Sequence, residues 1–499
     1  MKKIKKKHLI YIFVAVVVIG IITVIPFIFK SVNEQENLNS YNLTLNYDSE
    51  KHILEGSEVV QYVNNSENAF NSLFFNLYPN AFREGASSSV VSSTSFNEAF
   101  PNGDSYGEIE INSVTSISEE NLSYHITGED LNILEVNLPE ILYPDETFSL
   151  KIDFAVSLPN ANHRFGYGEN TINLGNFYPI ACVYEDGVGF FTKPYHSNGD
   201  PFYSDVSNYE VQLTCSSDLV VASSGEVVDK KKTEDKTVYV INGEKIRDFC
   251  LVLSEKFEIA SASVSGITIN YFGYKGDSDL NAQIEFAKQC VSTYNELFGK
   301  YPYSTLNVVK SNFVYGGMEY PNLVMISDTL EEQDFQYVIA HEIAHQWWYG
   351  VVGNNQYSNA WIDEGLTEYS TYLFFEKNSQ YGYNYETMIN NALNNYKFFV
   401  KIYQQINGEV DTSMDKDLDE FNTEPEYVQL TYTKGVLLFD GIRESVGDKK
   451  ILKALKTLYE DFAFKNLNRA ELIASFCSST GSNLENYINS WLDGDIIIA

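Results

Sequence analysis

The chain has 499 residues, too many for one ordinary domain, so two or three are expected. An apolar share of 44% is enough for sizeable cores, and 36 Tyr and 32 Phe against only 12 Pro exclude a disordered or low-complexity protein. The 68 acidic residues outnumber 34 basic ones, and such a surface repels nucleic acid, so no nucleic-acid partner is expected.

The chain opens on a basic flank, Met1 to Lys7, followed by an uncharged apolar run from Leu9 to Phe29. As a helix those 21 residues would span about 31 Å, enough for a bilayer. The exit, Phe27-Ile28-Phe29-Lys30-Ser31, has no small-x-small cleavage site, and no Cys follows for lipid attachment. Residues 1–30 are therefore expected to be a cytoplasmic flank and an uncleaved signal-anchor, with residues 9–29 in the lipid bilayer. The rest of the chain would be extracellular, making a single-pass cell-membrane protein. Six of the 34 basic residues lie in residues 1–30 and no acidic ones do, so residues 31–499 carry −40. That charge reads chiefly as a solvated, solubilising face.

Residues 31–40 are polar and read as a stalk. From Tyr41 the pattern alternates with period two: Tyr41 to Tyr47, Ser57 to Val63, Leu150 to Phe154 and Tyr209 to Leu213. Asn, Gly and Asp punctuate these runs, which predicts half-buried antiparallel strands. Residues 41–257 thus read as an all-β sandwich or saddle. Five Cys at 182, 215, 250, 290 and 477 form no C-x-x-C pair, and the odd number leaves at least one thiol unpaired. They read as small buried hydrophobes.

From residue 258 the pattern changes. Asp279 to Phe298 predicts a helix, and Leu306 to Lys310 and Leu323 to Ser327 predict strands flanking a turn at Gly316-Gly317-Met318-Glu319. The remainder to Trp491 is mostly helical. Strands followed by helices over 258–499 give an α+β domain. An acidic stretch, Asp415-Lys416-Asp417-Leu418-Asp419 with Glu426 at the twelfth position, resembles a calcium loop but has Glu420 where the sharp-turn Gly belongs. It reads as a solvated loop.

The sharpest signal is His341-Glu342-Ile343-Ala344-His345, inside a helical pattern predicted to run from Tyr337 through Trp348. On a helix, positions i and i+4 share a face, so both imidazoles can reach one metal ion, and Glu342 can address a water on it. Glu364, separated from His345 by 18 intervening residues, offers a third ligand from the next helical stretch. Two His and one carboxylate leave a fourth tetrahedral position open, which is the arrangement of a catalytic Zn²⁺; imidazole disfavours Mg²⁺ and Ca²⁺. One Zn²⁺ per chain is expected.

This ligand spacing resembles the aminopeptidase N family of zinc metallopeptidases, within the gluzincins. Three further segments are similar to that family: Gly316-Gly317-Met318-Glu319 to its G-x-M-E-N motif, Trp361-Ile362-Asp363-Glu364-Gly365 to its W-x-x-E-G helix, and Tyr432-Thr433-Lys434-Gly435 to its Y-x-K-G segment. Asn176 to Pro179 and Gly199 to Tyr203 resemble stretches of its N-terminal domain. The likeness extends from about residue 41 to about residue 493. It implies a thermolysin-like catalytic domain and a short bacterial-type form. The large C-terminal helical domain common in the family is expected to be absent, leaving a less enclosed cleft.

The resemblance implies metal ligands His341, His345 and Glu364, general base Glu342, and oxyanion donor Tyr432. It also implies that Glu319 binds the free α-amine of a peptide substrate. The edge around Gly316, Gly317 and Met318 would pair with the extended substrate backbone. The expected reaction is metal-activated hydrolysis of N-terminal residues from peptides with a free N-terminus. One position departs from the family: Tyr320 stands where Asn is usual. With the missing C-terminal domain it leans toward an alternative, a membrane-tethered zinc endopeptidase. A non-catalytic surface peptide-binding protein is the third reading, opposed by the intact Glu342 and ligand set.

Overall fold

The computed structural model describes residues 37–496. The expected flank and membrane segment, and residues 31–36 of the expected stalk, lie outside the described residues. Among the described residues no helix is long and apolar enough to cross a membrane. From Leu38 the chain forms one compact unit. The first strand starts at Asn39, two residues inside the expected stalk. Asn39 is polar, so alternation of apolar residues misses it. It is buried because its Oδ1 accepts from the Val63 amide at 2.9 Å.

The first half is built on a seven-stranded sheet. Its order from one edge is Glu226–Lys232, Lys236–Ile246, Ser207–Ser216, Asn39–Asp48, Ile53–Val63, Thr147–Ser157 and Glu108–Ser116. Burial alternates along Asn39–Asp48 and Ser207–Ser216 as the sequence pattern implies. The pairing departs from an all-antiparallel expectation at one seam: these two strands run parallel, from Asn39 opposite Ser207 to Asn46 opposite Thr214. Strands this far apart in sequence are not joined by a hairpin, so nothing forces them antiparallel. The edge strand Glu226–Lys232 is exposed at every residue and carries Lys230, Lys231 and Lys232, which discourages edge-to-edge pairing. Two four-stranded sheets and a two-stranded ribbon, Tyr184–Glu185 with Gly189–Phe190, complete this half.

A five-stranded sheet separates the two halves, in the order Phe257–Val264, Ile267–Tyr274, Thr305–Ser311, Leu323–Ser327 and Gly317–Met318. Its three central strands are parallel. Tyr271, Val308 and Val324 face one core, made mainly by helices; Phe272, Val309 and Met325 face the other, made mainly by the β half. This two-sided burial explains why Leu323–Ser327 is an unbroken buried run without polar alternation. Gly317–Met318 is the edge strand rather than part of a turn.

The longer helices are α1 (Leu280–Leu297), α2 (Glu332–Ala344), α3 (Ala360–Lys377), α4 (Tyr385–Asn407), α5 (Lys434–Val446), α6 (Asp448–Phe462), α7 (Arg469–Thr480) and α8 (Glu485–Leu492). Helix α2 is shorter than its sequence pattern implies. It stops with His345 as its C-cap, and the indoles of Trp347 and Trp348 turn into the core, donating to Gly299 O and Ser370 Oγ. The acidic stretch is not a solvated loop. Glu426 is buried, pairs with Lys416, and accepts from the Asn422 amide, while Asp415 accepts from Arg469 and the Trp361 indole. All five Cys are free thiols and four are buried.

Candidate metal centre and substrate cavity

Helix α2 brings His341 and Glu342 to its last turn and His345 to its cap, while α3 crosses it carrying Glu364. Glu364 Oε2 lies 3.3 Å from His341 Nε2 and 3.2 Å from His345 Nε2, and the two Nε2 atoms are 3.2 Å apart. Tetrahedral zinc with bonds of about 2.0–2.1 Å holds neighbouring donors about 3.3 Å apart. The three donors therefore have the chemistry and spacing of a zinc site before any ion is considered. The other ring nitrogens are held as a ligand's should be: His341 Nδ1 faces Glu368 Oε2 at 3.1 Å, and His345 Nδ1 faces Trp348 O at 3.1 Å and Thr367 Oγ at 3.0 Å.

Electrostatics follow from this packing. Burial opposes a charged His341, but the carboxylates of Glu364 and Glu368 outweigh it and push that imidazole up to about 10. Glu364 is held down to about 2: burial acts against the carboxylate, and the two histidines overcome it. Glu342 moves the other way, raised by burial above the usual carboxylate range, with both histidines pulling it back. Its Oε2 is buried with no hydrogen-bond partner. Gly317 is needed beside it, because a Cβ there would lie 2.4 Å from Glu342 Oε1.

A cavity of about 360 Å³ opens onto His341 and Glu342. Gly316 and Gly317 line it from the sheet edge, Tyr432 from the helical side, and Arg164 and Asp200 from the β half. Tyr432 sits in a π-helical turn, Gln429–Thr433, just before α5. Its ring stacks on His341 with centroids 5.7 Å apart, and its hydroxyl donates to Glu364 Oε1. Glu319 is more deeply placed than the sequence suggests: it is 3% exposed and does not line the cavity. A Glu319 oxygen, a Glu342 oxygen and a His345 nitrogen still lie within 4.8 Å of one another. Met318 is buried, with Sδ 3.2 Å from Arg164 Nη1.

Tyr320, the departure from the family pattern, is fully buried and directs its hydroxyl away from the metal site to Asn176 Oδ1, at 2.7 Å. Gly175 makes room: a Cβ there would lie 2.0 Å from that hydroxyl. Sequence reading missed Glu368, Thr367, Gln356, Arg164 and Asp200. Glu368 had a signal, standing four residues after Glu364 on one helix. The Arg164–Asp200 ion pair had none, since its partners are far apart in sequence and come from irregular segments.

Comparison with known proteins agrees with this geometry. Residues 282–491 match the family model described as the peptidase family M1 domain. The puromycin-sensitive aminopeptidase of Caenorhabditis elegans is 21% identical over 399 residues, covering 76% of this chain and 41% of that protein. Leukotriene A-4 hydrolase of Xenopus laevis is 27% identical over 206 residues, covering 39% of this chain and 31% of that protein. The chain thus spans less than half the length of these curated relatives. Among solved structures, the M1 zinc metallopeptidase of Deinococcus radiodurans superposes with a TM-score of 0.65 at 16% identity, covering 94% of this chain and 97% of that one. A mutant of that metallopeptidase has been solved bound to a Tyr-Ser-Ala substrate. The shared fold is the two-domain one, a β domain followed by an α-rich domain.

Proposed function

We propose, because the chain belongs through residues 282–491 to peptidase family M1, that it is a zinc aminopeptidase hydrolysing N-terminal residues from peptides. The observation that carries this reading is the convergence of three donors 3.2–3.3 Å apart, with Glu342 pressed against the sheet edge that borders the cavity. His341, His345 and Glu364 would hold the metal. Zinc, when bound, supplies Lewis-acid polarisation of a water and of the scissile carbonyl.

The chain's own residues supply the rest. Glu342 accepts a proton from the attacking water and returns it to the leaving amine, and a carboxylate raised by burial suits both tasks. The Tyr432 hydroxyl, turned toward the metal ligands, donates to the oxyanion that forms from the carbonyl. The Gly317–Met318 edge pairs with the extended substrate, whose close approach the two glycines permit. Glu319 accepts from the α-ammonium by charge-assisted hydrogen bonds.

The deep burial of Glu319 favours one second reading, an endopeptidase that does not use a free amine. A panel of aminoacyl fluorogenic amides, with and without N-terminal acetylation, separates the two. Free-amine substrates cut much faster support the aminopeptidase; equal rates replace it with the endopeptidase. A chelator should abolish either activity.

Location is a separate proposal. The basic flank and the 21-residue apolar run from Leu9 to Phe29 support a signal-anchor with the catalytic part outside the cell. Protease added to intact cells should then release a soluble active fragment beginning near residues 31–40. A mature N-terminus already at that position in untreated cells would refute the anchor.

A further inference from the structure

The segment Tyr432-Thr433-Lys434-Gly435 contributes one reacting group, yet its last two residues touch nothing in the cavity. Gly435 lies in the first turn of α5 and Gly365 in the second turn of α3, and here the two helices meet backbone to backbone. A Cβ on Gly435 would stand 2.7 Å from Gly365 Cα, inside any real contact. Gly365 directly follows Glu364, and Gly435 follows Tyr432 by three residues, so this backbone contact lies beside the Tyr432–Glu364 hydrogen bond. Neither glycine has a positive φ, so the requirement is proximity and not conformational freedom.

Lys434 acts from the other side. It is fully buried, and its Nζ donates to Thr412 O and, at 2.7 Å, to Trp491 O, with the Trp491 ring centroid 5.8 Å away. It pins the start of α5 to the loop before the π-helical turn and to the end of α8. A π-turn is an irregular element that neighbouring packing must hold in register. Contact on one side and a two-carbonyl anchor on the other leave that turn little freedom.

We infer that the Gly365–Gly435 contact, held by the Lys434 anchor, is the device that sets the Tyr432 hydroxyl against the metal-ligand helix, making Gly435 and Lys434 positioning residues for the reaction. This inference rests on Tyr432 being the oxyanion donor. Adding one methyl at residue 435 must push α5 away from α3 and carry Tyr432 with it. The loss then belongs to kcat, since the amine anchor and metal ligands stay in place.

The test is a double-mutant cycle on the full zinc-loaded chain with Gly435→Ala, Tyr432→Phe and both together. Gly435→Ala should keep its zinc content and KM and lose about 10²–10³ in kcat, the range for one lost oxyanion donor. In the Tyr432→Phe background it should cost less than about twofold, because the group it positions is already gone. A crystal structure of metal-free Gly435→Ala should have the Tyr432–Glu364 hydrogen bond broken. Should Gly435→Ala fail to fold, Lys434→Met is read in the same cycle, with Lys434→Arg recovering part of the loss. Normal kcat in Gly435→Ala, or the same loss repeated in the Tyr432→Phe background, overturns the inference alone. Normal turnover in Tyr432→Phe overturns the donor reading and the inference with it.

Discussion

Gln356 Nε2 donates to Glu319 Oε1 at 2.6 Å and to Asp363 Oδ2 at 2.8 Å, so one buried amide ties the sheet-edge carboxylate to the residue preceding Glu364. Gln346, next to His345, holds the backbone on the other side, donating toward the carbonyls of Glu319 and Tyr320 and accepting from the Asn322 amide. The direction of the Glu319 carboxylate is thus fixed by two glutamines on the metal side. The Tyr320 side chain, bonded to Asn176, takes no part. The departure from the family motif thus leaves the Glu319 carboxylate held, by residues that the motif does not include.

The first prediction concerns that support. Glu319→Ala should lower kcat/KM for alanyl amides by about 10–150-fold, the worth of a charge-assisted hydrogen bond, and hardly change cleavage of acetyl-alanyl amides. Gln356→Leu should give the same selectivity with a smaller loss, about 10-fold, because the carboxylate remains but is no longer aimed. A Gln356→Leu enzyme that loses both substrates equally would mean that the amide supports the metal site and not the anchor.

The second prediction separates metal ligands from the groups behind them. His345→Ala should remove zinc and activity together, by elemental analysis of chelator-free protein, where wild type should carry about one equivalent. Glu368→Gln keeps all three donors and weakens the partner of His341 Nδ1, which also accepts from the Tyr337 hydroxyl. Its zinc affinity should fall by about 10–100-fold, read by competition with a chelator. Full zinc retention in His345→Ala would refute the ligand set.

These residues also mark how much was legible in the sequence. The convergence of His341, His345 and Glu364 was, because helix periodicity converts a spacing of four into one face, and α3 lies where its pattern put it. The alternating strands were legible for the same kind of reason. The end of α2 was not, because two tryptophans continue a helical pattern while tertiary burial turns them out of it. The parallel seam at Asn39–Asp48, the Gln356 bridge and the Arg164–Asp200 pair share a different cause: each joins residues distant in sequence, and no local pattern encodes the partner.

The third prediction comes from the β half. Glu58 lies mid-strand, opposite Leu43 and Ile152, fully buried with both carboxylate oxygens unpartnered. Burial pushes its carboxyl well above the usual range. A folded value above the unfolded one means that the folded chain binds the proton more tightly. Its contribution is fully present below about pH 4.3 and is lost as pH rises toward the folded value. Glu58→Gln should leave stability near pH 4 unchanged and raise it at pH 8 by more than about 1 kcal/mol, removing that slope. Denaturant midpoints at the two pH values measure this, and an equal effect at both would show that ionisation is not involved.

The last prediction uses Glu342. Replacing it with Gln keeps the shape but removes proton acceptance, so Glu342→Gln should bind zinc normally and lose about 10²–10⁴-fold in kcat. The base works only when deprotonated, so activity must fall as pH drops through its pKa. Burial raises that value from the usual 4.5 to about 7, and the positive histidines already pull against the rise. Ligation needs both histidines neutral, so a bound dication takes over that pull, and the acid limb of kcat/KM is expected between these two values. The limb should follow one proton. It should shift when Gly317 becomes Ala, because the added methyl must displace the Glu342 carboxylate it would meet at 2.4 Å. A kcat/KM profile flat down to about pH 4 in a zinc-replete enzyme would remove Glu342 from the role of base.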